Sequence, residues 1–259
     1  MLPGCGMMAA MDEQEAVPDG AEPPLLAAVA DGVLTLTLNR PAKRNALSIE
    51  LRRMIATTLG GVDSEQIGAV VITGAPPAFC SGMDTTQFGG DADNRRALVD
   101  SSLACMNAIG DCPVPIMAAI NGPALAGGFL VALASDIRIA EPTARFGFPE
   151  LPRGIPPSFA WARAALPAAL ARELCQSGRI VEAADAPGLG MVTELVGEGE
   201  SLAAATALAT TIASRPRRAV LESKRRVLLE RRTLYGFLFE DEERMFRAAL
   251  GAGDDESDA

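Results

Sequence analysis

Val114-Pro115-Ile116-Met117-Ala118-Ala119-Ile120-Asn121-Gly122-Pro123-Ala124-Leu125-Ala126-Gly127-Gly128-Phe129-Leu130-Val131-Ala132-Leu133-Ala134 reads as a strand, a glycine-bearing turn and a helix in direct succession. The apolar run from Val114 to Ile120 is short enough for a buried strand, and Asn121-Gly122-Pro123 ends it. Gly127-Gly128 then opens an apolar helix that continues to Ala134. Asp136-Ile137-Arg138-Ile139-Ala140 follows as the next strand.

The same alternation extends upstream. Gly32 to Leu38 alternates like a half-buried strand, and Asn39-Arg40-Pro41 breaks it. Ser48 can cap a helix through Leu59 whose apolar residues (Ile49, Met54, Ile55, Leu59) leave Arg52 and Arg53 outside. Ala69 to Gly74 is a second continuous apolar strand, a loop rich in Gly, Ser and Pro runs from Ala75 to Gly90, and residues 94–109 form an amphipathic helix. From Leu166 the chain is mainly helical to Leu250. The expectation is an α/β fold of stacked ββα units with a helical C-terminal region. Residues 25–200 would form the core and 201–250 the helical region, flanked by acidic tails at 1–24 and 251–259.

Composition narrows the chemistry. The net charge of −10 is concentrated at the ends: five acids lie in residues 12–24 and four in the final seven residues, with no Lys or Arg in either stretch. Between Leu25 and Leu250 the charges nearly balance, so the tails read as disordered and solvating and the folded part does not repel a phosphate-bearing ligand. No apolar run is long enough to span a membrane, and the N-terminus lacks the pattern of a secretory signal, so a cytoplasmic location is expected. Five scattered cysteines without a C-x-x-C pair point to reduced thiols, with neither a disulfide framework nor a metal site. There is no histidine, which excludes a His-activated Ser or Cys nucleophile, an HExxH zinc site and a histidine general base together. With one tyrosine and two lysines in the chain, a carboxylate leads as proton carrier.

Three segments carry the chemical signal. Ala78-Phe79-Cys80-Ser81-Gly82-Met83-Asp84 lies shortly after one strand, and Asn121 to Gly128 lies directly before a helix. A glycine-bearing turn at a helix N-terminus leaves N–H groups unpaired at the positive end of the dipole. Two such donors from distant segments could converge on one oxygen as an oxyanion hole. The third segment, Arg145-Phe146-Gly147-Phe148-Pro149-Glu150, sets a carboxylate among apolar residues. Singly, each has a bland reading: a packing turn, a buried thiol at Cys80, a surface carboxylate.

Together, in this order, these segments resemble the enoyl-CoA hydratase/isomerase (crotonase) superfamily over roughly residues 25–230. The resemblance includes Leu38-Asn39-Arg40-Pro41, Arg44-Asn45-Ala46-Leu47, Val71-Ile72-Thr73-Gly74, Phe79 to Asp84, Asn121 to Gly128, Ser135 to Ala140, Phe146 to Glu150 and Leu189 to Thr193. It implies a crotonase-like spiral, a homotrimer or hexamer, and an acyl-CoA thioester whose carbonyl oxygen accepts from the Met83 and Gly127 N–H groups. Lys43, Arg44, Ala46 and Ser81 would line the CoA path, although Lys43 and Arg44 also read as solvated turn residues. No cofactor is implied beyond the CoA of the substrate.

Hydratases of this family use two glutamates. Here one is present as Glu150, while the other position holds Leu130, which cannot orient water or exchange a proton. One base and an oxyanion hole suffice for a proton shuttle, as in the single-glutamate Δ3,Δ2-enoyl-CoA isomerases that the Ala126–Leu133 stretch looks like. The apolar wall of Phe129, Leu130, Phe148 and Pro156 would raise the Glu150 pKa. Hydration, hydrolysis or decarboxylation on the same platform, and a non-catalytic acyl-CoA-binding subunit, stand as alternatives. The basic segment Arg215 to Arg232 interleaves its charges with Val220, Leu221, Val227, Leu228 and Leu229, the pattern of a packed helix making subunit or CoA-phosphate contacts; nucleic-acid binding is not expected.

Overall fold

The computed structural model describes residues 22–252. The fold is α/β, in the chain order β1 (Leu25–Ala30), β2 (Val33–Leu38), α1 (Ile49–Gly60), β3 (Ala69–Gly74), α2 (Ala92–Asp111), β4 (Ile116–Ile120), β5 (Ala124–Leu125), α3 (Gly127–Ala134), β6 (Ile137–Ala140), β7 (Arg145–Gly147), α4 (Phe159–Ala165), α5 (Ala168–Ser177), β8 (Val181–Glu182), β9 (Glu194–Leu195), α6 (Ser201–Ala213) and α7 (Arg217–Ala249). The main sheet runs β1-β2-β3-β4-β6-β9, and a small second sheet runs β5-β7-β8. Only β1 is antiparallel in the main sheet; β2, β3, β4, β6 and β9 are mutually parallel.

The central strands have no exposed face. Every residue of β3 and β4 is buried, as continuous apolar runs in a parallel sheet require. One face packs on α1, α2 and α3 through Leu36, Leu51, Ile55, Ile72, Ile109 and Phe129. The other packs on α6, where Ala205 and Ala209 meet Val71, Met117, Ala119 and Ile139.

Two features depart from the sequence reading. No strand was expected at Leu25–Ala30, yet Asp31 and Gly32 adopt positive φ (51° and 73°) and turn the chain into a β1–β2 hairpin. Only Leu25 of its six residues is buried, so it lacks the alternation that marks a half-buried strand. Residues 1–21 and 253–259, where the rest of the acidic tails was placed, lie outside the described residues. Second, Arg52 is not outside but 1% exposed. It points from α1 into the α1–α2 contact, where its Nη1 donates to Ser102 Oγ at 2.6 Å. Arg53 is exposed as expected.

The helix starts follow their caps: Ser48 accepts from Leu51 N–H, and Asp91 accepts from Asn94 N–H. The 33-residue α7 returns across the molecule against α2 and α4. No helix among the described residues is long and apolar enough to cross a membrane. Lys224, the only residue of α7 buried outright, places Nζ 2.7 and 2.8 Å from the two Asp136 oxygens, and Asp136 Oδ2 also accepts from Ile116 N–H. Lys224→Ala would strip the Asp136 carboxylate of its ion-pair partner and should cost about 3 kcal/mol in urea unfolding, with Lys224→Met/Asp136→Asn recovering much of the loss.

Candidate active site

Because β2, β3, β4 and β6 run parallel, the loops that follow them leave the same end of the sheet. In open α/β sheets that is where ligand crevices form. Lys43, Arg44 and Ala46 follow β2; Ser81 and Met83 follow β3; Gly127 and Leu130 follow β4; Phe148 and Glu150 follow β6 and β7. Residues up to 107 positions apart in the chain, Lys43 and Glu150 at the extremes, are thereby carried to one rim.

Short backbone ladders join these loops side by side. Leu47 N–H donates to Gly82 O at 2.8 Å and Asp84 N–H to Leu47 O at 3.2 Å, a parallel bridge between Leu47 and Met83. Cys80 N–H donates to Pro123 O and Leu125 N–H to Cys80 O, bridging Cys80 to Ala124. Ala124 and Leu125 in turn pair with Phe146 and Gly147. The three segments singled out in the sequence thus lie in a row.

The row brings Met83 and Gly127 together. A Cβ built on Gly127 would lie 3.5 Å from Met83 N, and one built on Gly82 would lie 3.1 Å from Gly127 N and 2.8 Å from Ala126 Cβ. Gly82 also has a φ of +98°, so both space and conformation call for glycine there. Gly128 is excluded from carrying a side chain for a second reason: its Cβ would overlap Cys80 at 2.6 Å from the carbonyl carbon and 2.7 Å from Cβ. The bridge to Leu47 uses the N–H groups of Leu47 and Asp84; among the described residues neither Met83 N–H nor Gly127 N–H, at the first turn of α3, has an acceptor. Ala126, which precedes it, is held at φ 51° and ψ −125°, a conformation costly for a residue with a Cβ. Its own N–H donates to Gly147 O at 2.9 Å.

Around the row sits a polar frame that sequence reasoning passed over. Asn45 is wholly buried; its Nδ2 donates to Ala75 O, Ala78 O and Phe79 O at 2.7–3.3 Å, and its Oδ1 accepts from Arg40 N–H at 2.9 Å. Arg40 donates to Ala46 O through Nη1 and to Asp84 Oδ2 at 2.8 Å through Nη2. Thr86 and Arg40 hydrogen bonds outweigh burial, which acts in the opposite direction, and hold the Asp84 carboxyl below its ordinary value. Asn45 and Asp84 lay inside quoted motifs, and the signal available was Asn45 flanked by turn residues and Ala-Leu, where a buried amide is useful only as a clamp.

Lys43 and Arg44 are exposed at the rim, and Ser81 N–H donates to Arg44 O at 3.0 Å, so these three share one edge. Ala46 is buried and presents its carbonyl to Arg40, not its side chain to the outside. Cys80 is fully buried and its thiol is pushed up to about 12 by desolvation, which makes it unreactive as a nucleophile.

Glu150 lies beyond the packed rings of Phe146, Phe148 and Phe129. The Phe129–Phe148 centroids are 5.1 Å apart, which sets the Glu150 segment against the first turn of α3, where Leu130 is half-buried. Its Oε2 is buried without a hydrogen-bond partner. Desolvation raises its pKa from 4.5 to about 7, against smaller lowering effects of a backbone hydrogen bond and Arg153. Among the described residues no three carboxylates or thiols gather into a metal site. A separate cavity of about 290 Å³ between the end of α3, α4 and α7 contains none of these residues. Its cations are already engaged: Lys224 with Asp136, Arg231 with Asp111, and Arg138 with backbone carbonyls.

Residues 28–249 match the family model described as enoyl-CoA hydratase/isomerase. Among relatives, an enoyl-CoA hydratase of Mycobacterium tuberculosis is 34% identical over 189 residues, covering 70% of this chain and 71% of the relative. A protein of Mycobacterium bovis named a probable enoyl-CoA hydratase is 32% identical over 225 residues, with 85% and 86% covered. Among solved structures, an enoyl-CoA hydratase/isomerase from Xanthobacter autotrophicus aligns with a TM-score of 0.77 at 30% identity, covering 90% of this chain and 89% of the other. An enoyl-CoA hydratase from Mycobacterium smegmatis aligns at 0.74 and 29%, covering 88% and 91%. The chain belongs to the enoyl-CoA hydratase/isomerase family and has the crotonase fold.

The raised Glu150 pKa has a consequence for stability. The folded state holds this proton more tightly than the unfolded chain, so the contribution of the neutral carboxyl is complete below about 4.5 and is lost as pH rises through about 7. Glu150→Gln, uncharged throughout, should match the unsubstituted protein in urea unfolding near pH 4 and exceed it by about 1–2 kcal/mol near pH 8.5. A constant difference across that range would contradict the assignment.

Proposed function

We propose that this member of the family isomerises 3-enoyl-CoA to 2-enoyl-CoA with Glu150 as the single proton carrier. The observation that carries the reading is that Glu150 Oε2 is buried without a hydrogen-bond partner among the described residues, in a chain that has Leu130 where a second carboxylate would be needed. The thioester carbonyl oxygen accepts from the Met83 and Gly127 N–H groups. The Glu150 carboxylate removes a proton from C2, the negative charge of the dienolate rests largely on the thioester oxygen, and protonated Glu150 delivers the proton to C4. The double bond moves from C3–C4 to C2–C3 with no net gain or loss of atoms.

A pKa near 7 suits both halves of this shuttle, since the group must accept a proton and return it at the same pH. Stabilisation of the oxyanion by backbone donors supplies the larger part of the rate. Leu130 walls the acyl group and excludes water that would quench the dienolate. Phe148, expected in that wall, is fully buried against Phe129 and supports it from behind. Lys43 and Arg44, with Ser81 and the Ala46 backbone, border the path of the CoA moiety, and no further cofactor is required. The exposed apolar side chains of α7 (Val227, Leu229, Leu234, Phe237) support assembly as a homotrimer or hexamer.

The names of the relatives favour a second reading, hydration, which would need a water-orienting group other than Leu130. The two separate in one assay with 3-hexenoyl-CoA and crotonyl-CoA. Isomerisation should exceed hydration, kcat/KM should rise with pH and level off above about 7, and Glu150→Gln should lower kcat by about a hundredfold to ten-thousandfold. Leu130→Glu should gain hydration of crotonyl-CoA at the expense of isomerisation. Hydration by the unsubstituted protein as fast as its isomerisation would overturn the isomerase reading in favour of the second.

A further inference from the structure

The segment that follows Glu150 is anchored at its far end by a residue of the C-terminal helix. Glu150 O accepts from Arg153 N–H at 2.9 Å and Ile155 N–H at 3.3 Å, closing a tight turn. Residues 152–156 are then exposed until Ser158, which caps α4 by accepting from Trp161 N–H. At its start the segment leans on the end of α5, where a Cβ on Gly178 would lie 3.5 Å from Pro152 Cδ. At Ser158 the far end is held: its hydroxyl donates to Glu242 Oε2 at 2.5 Å, and Ala160 N–H donates to Glu242 Oε1 at 2.8 Å. Glu242 belongs to α7, 84 residues further along the chain.

We propose that Glu242 is a positioning residue for Glu150: by holding Ser158 and the first turn of α4, it keeps residues 151–158 folded over the carboxyl and excludes water from it. The inference rests on Glu150 acting as the proton carrier.

Three further observations support it. Glu242 is half-buried; desolvation raises its pKa, and its hydrogen bonds to Ser158 and Ala160 offset only part of that cost. Burial first, and then the charges of Glu242 and Glu150, push the Cys175 thiol of α5 up, so both carboxyls act on this thiol. The end of α5 also backs the Glu150 turn: a Cβ on Gly178 would lie 3.2 Å from Phe148 O and 3.3 Å from Leu151 Cβ. The titratable and charged groups around Glu150 are therefore Arg153 on its own turn and Cys175 on α5, with Glu242 on α7 behind them. Burial is the leading influence on Glu150, and removing the anchor alters burial.

The test uses the full chain with Glu242→Ala, Glu242→Gln and Ser158→Ala. Glu242→Ala should lower kcat for 3-hexenoyl-CoA by about tenfold with little change in KM, the pattern of a displaced catalytic group. The Glu150 pKa should fall by about one unit toward the ordinary carboxylate value, read from the kcat/KM profile and from carboxyl infrared difference spectra against Glu150→Gln. Glu242→Gln keeps an acceptor and a donor in place and should recover kcat to within about twofold. Ser158→Ala should shift the same pKa in the same direction, which keeps the proposal testable if Glu242→Ala does not fold. A lowered melting temperature with an unmoved Glu150 titration and unmoved kcat would overturn it and leave Glu242 a structural cap. Should Glu150→Gln retain full activity, the proton-carrier reading fails, yet the infrared titration still reports whether Glu242 controls the Glu150 environment.

Discussion

Two backbones approach each other at the sheet's rim more closely than any side chain between them would permit. Gly128 faces the Cys80 peptide and Gly82 faces Ala126, and in each case a Cβ would overlap the opposite chain. That contact is what lets the loop after β3 and the turn before α3 share ladder hydrogen bonds. Everything specific to the site follows from it. Met83 and Gly127 present unpaired N–H groups in the same small space only because their neighbours are glycines. The parallel sheet supplies the coarse placement, by delivering four loops to one end; the glycine contacts supply the placement to within ångströms.

The electrostatics of the rim divide along the same line. On the β2 side the polar groups are saturated: Asn45, Arg40 and Asp84 engage one another and the loop carbonyls. On the α3 side the surroundings are largely apolar, and Glu150 Oε2 is buried without a hydrogen-bond partner among the described residues. A second carboxylate at position 130 would add like-charge repulsion to desolvation and couple the two titrations. With Leu130 there, burial alone dominates the Glu150 proton affinity. The substitution thus removes a group and also simplifies the behaviour of the one that remains.

Much of the fold was legible because its signals are local. The continuous apolar runs of β3 and β4 and the Ser48 cap each determine structure within a few residues. The glycine turns and the Phe-Gly-Phe-Pro-Glu segment were visible for the same reason. What escaped depends on partners distant in the chain. The β1 strand is exposed along all but its first residue and is defined by its pairing with β2. Arg52 is charged, and its burial is decided by α2. Asn45 is a clamp only once the loop after β3 folds over it, and Glu242 meets Ser158 only because α7 returns across the molecule. Periodicity reports which face of an element is apolar; it does not report which polar residue another element will cover.

Ala126 bears on how the protein meets its ligand. Its backbone, at φ 51° and ψ −125°, lies in a region that glycine reaches freely and alanine does not. A glycine in that position would have many conformations to abandon when an anion arrived; the alanine has few. The disorder is given up once, when the chain folds, and the loss is shared across the core that enforces it. Occupancy of the two backbone donors would then draw little on conformational entropy, so association with an acyl thioester should be set mainly by enthalpy and desolvation, and the empty protein should already hold the shape of the occupied one.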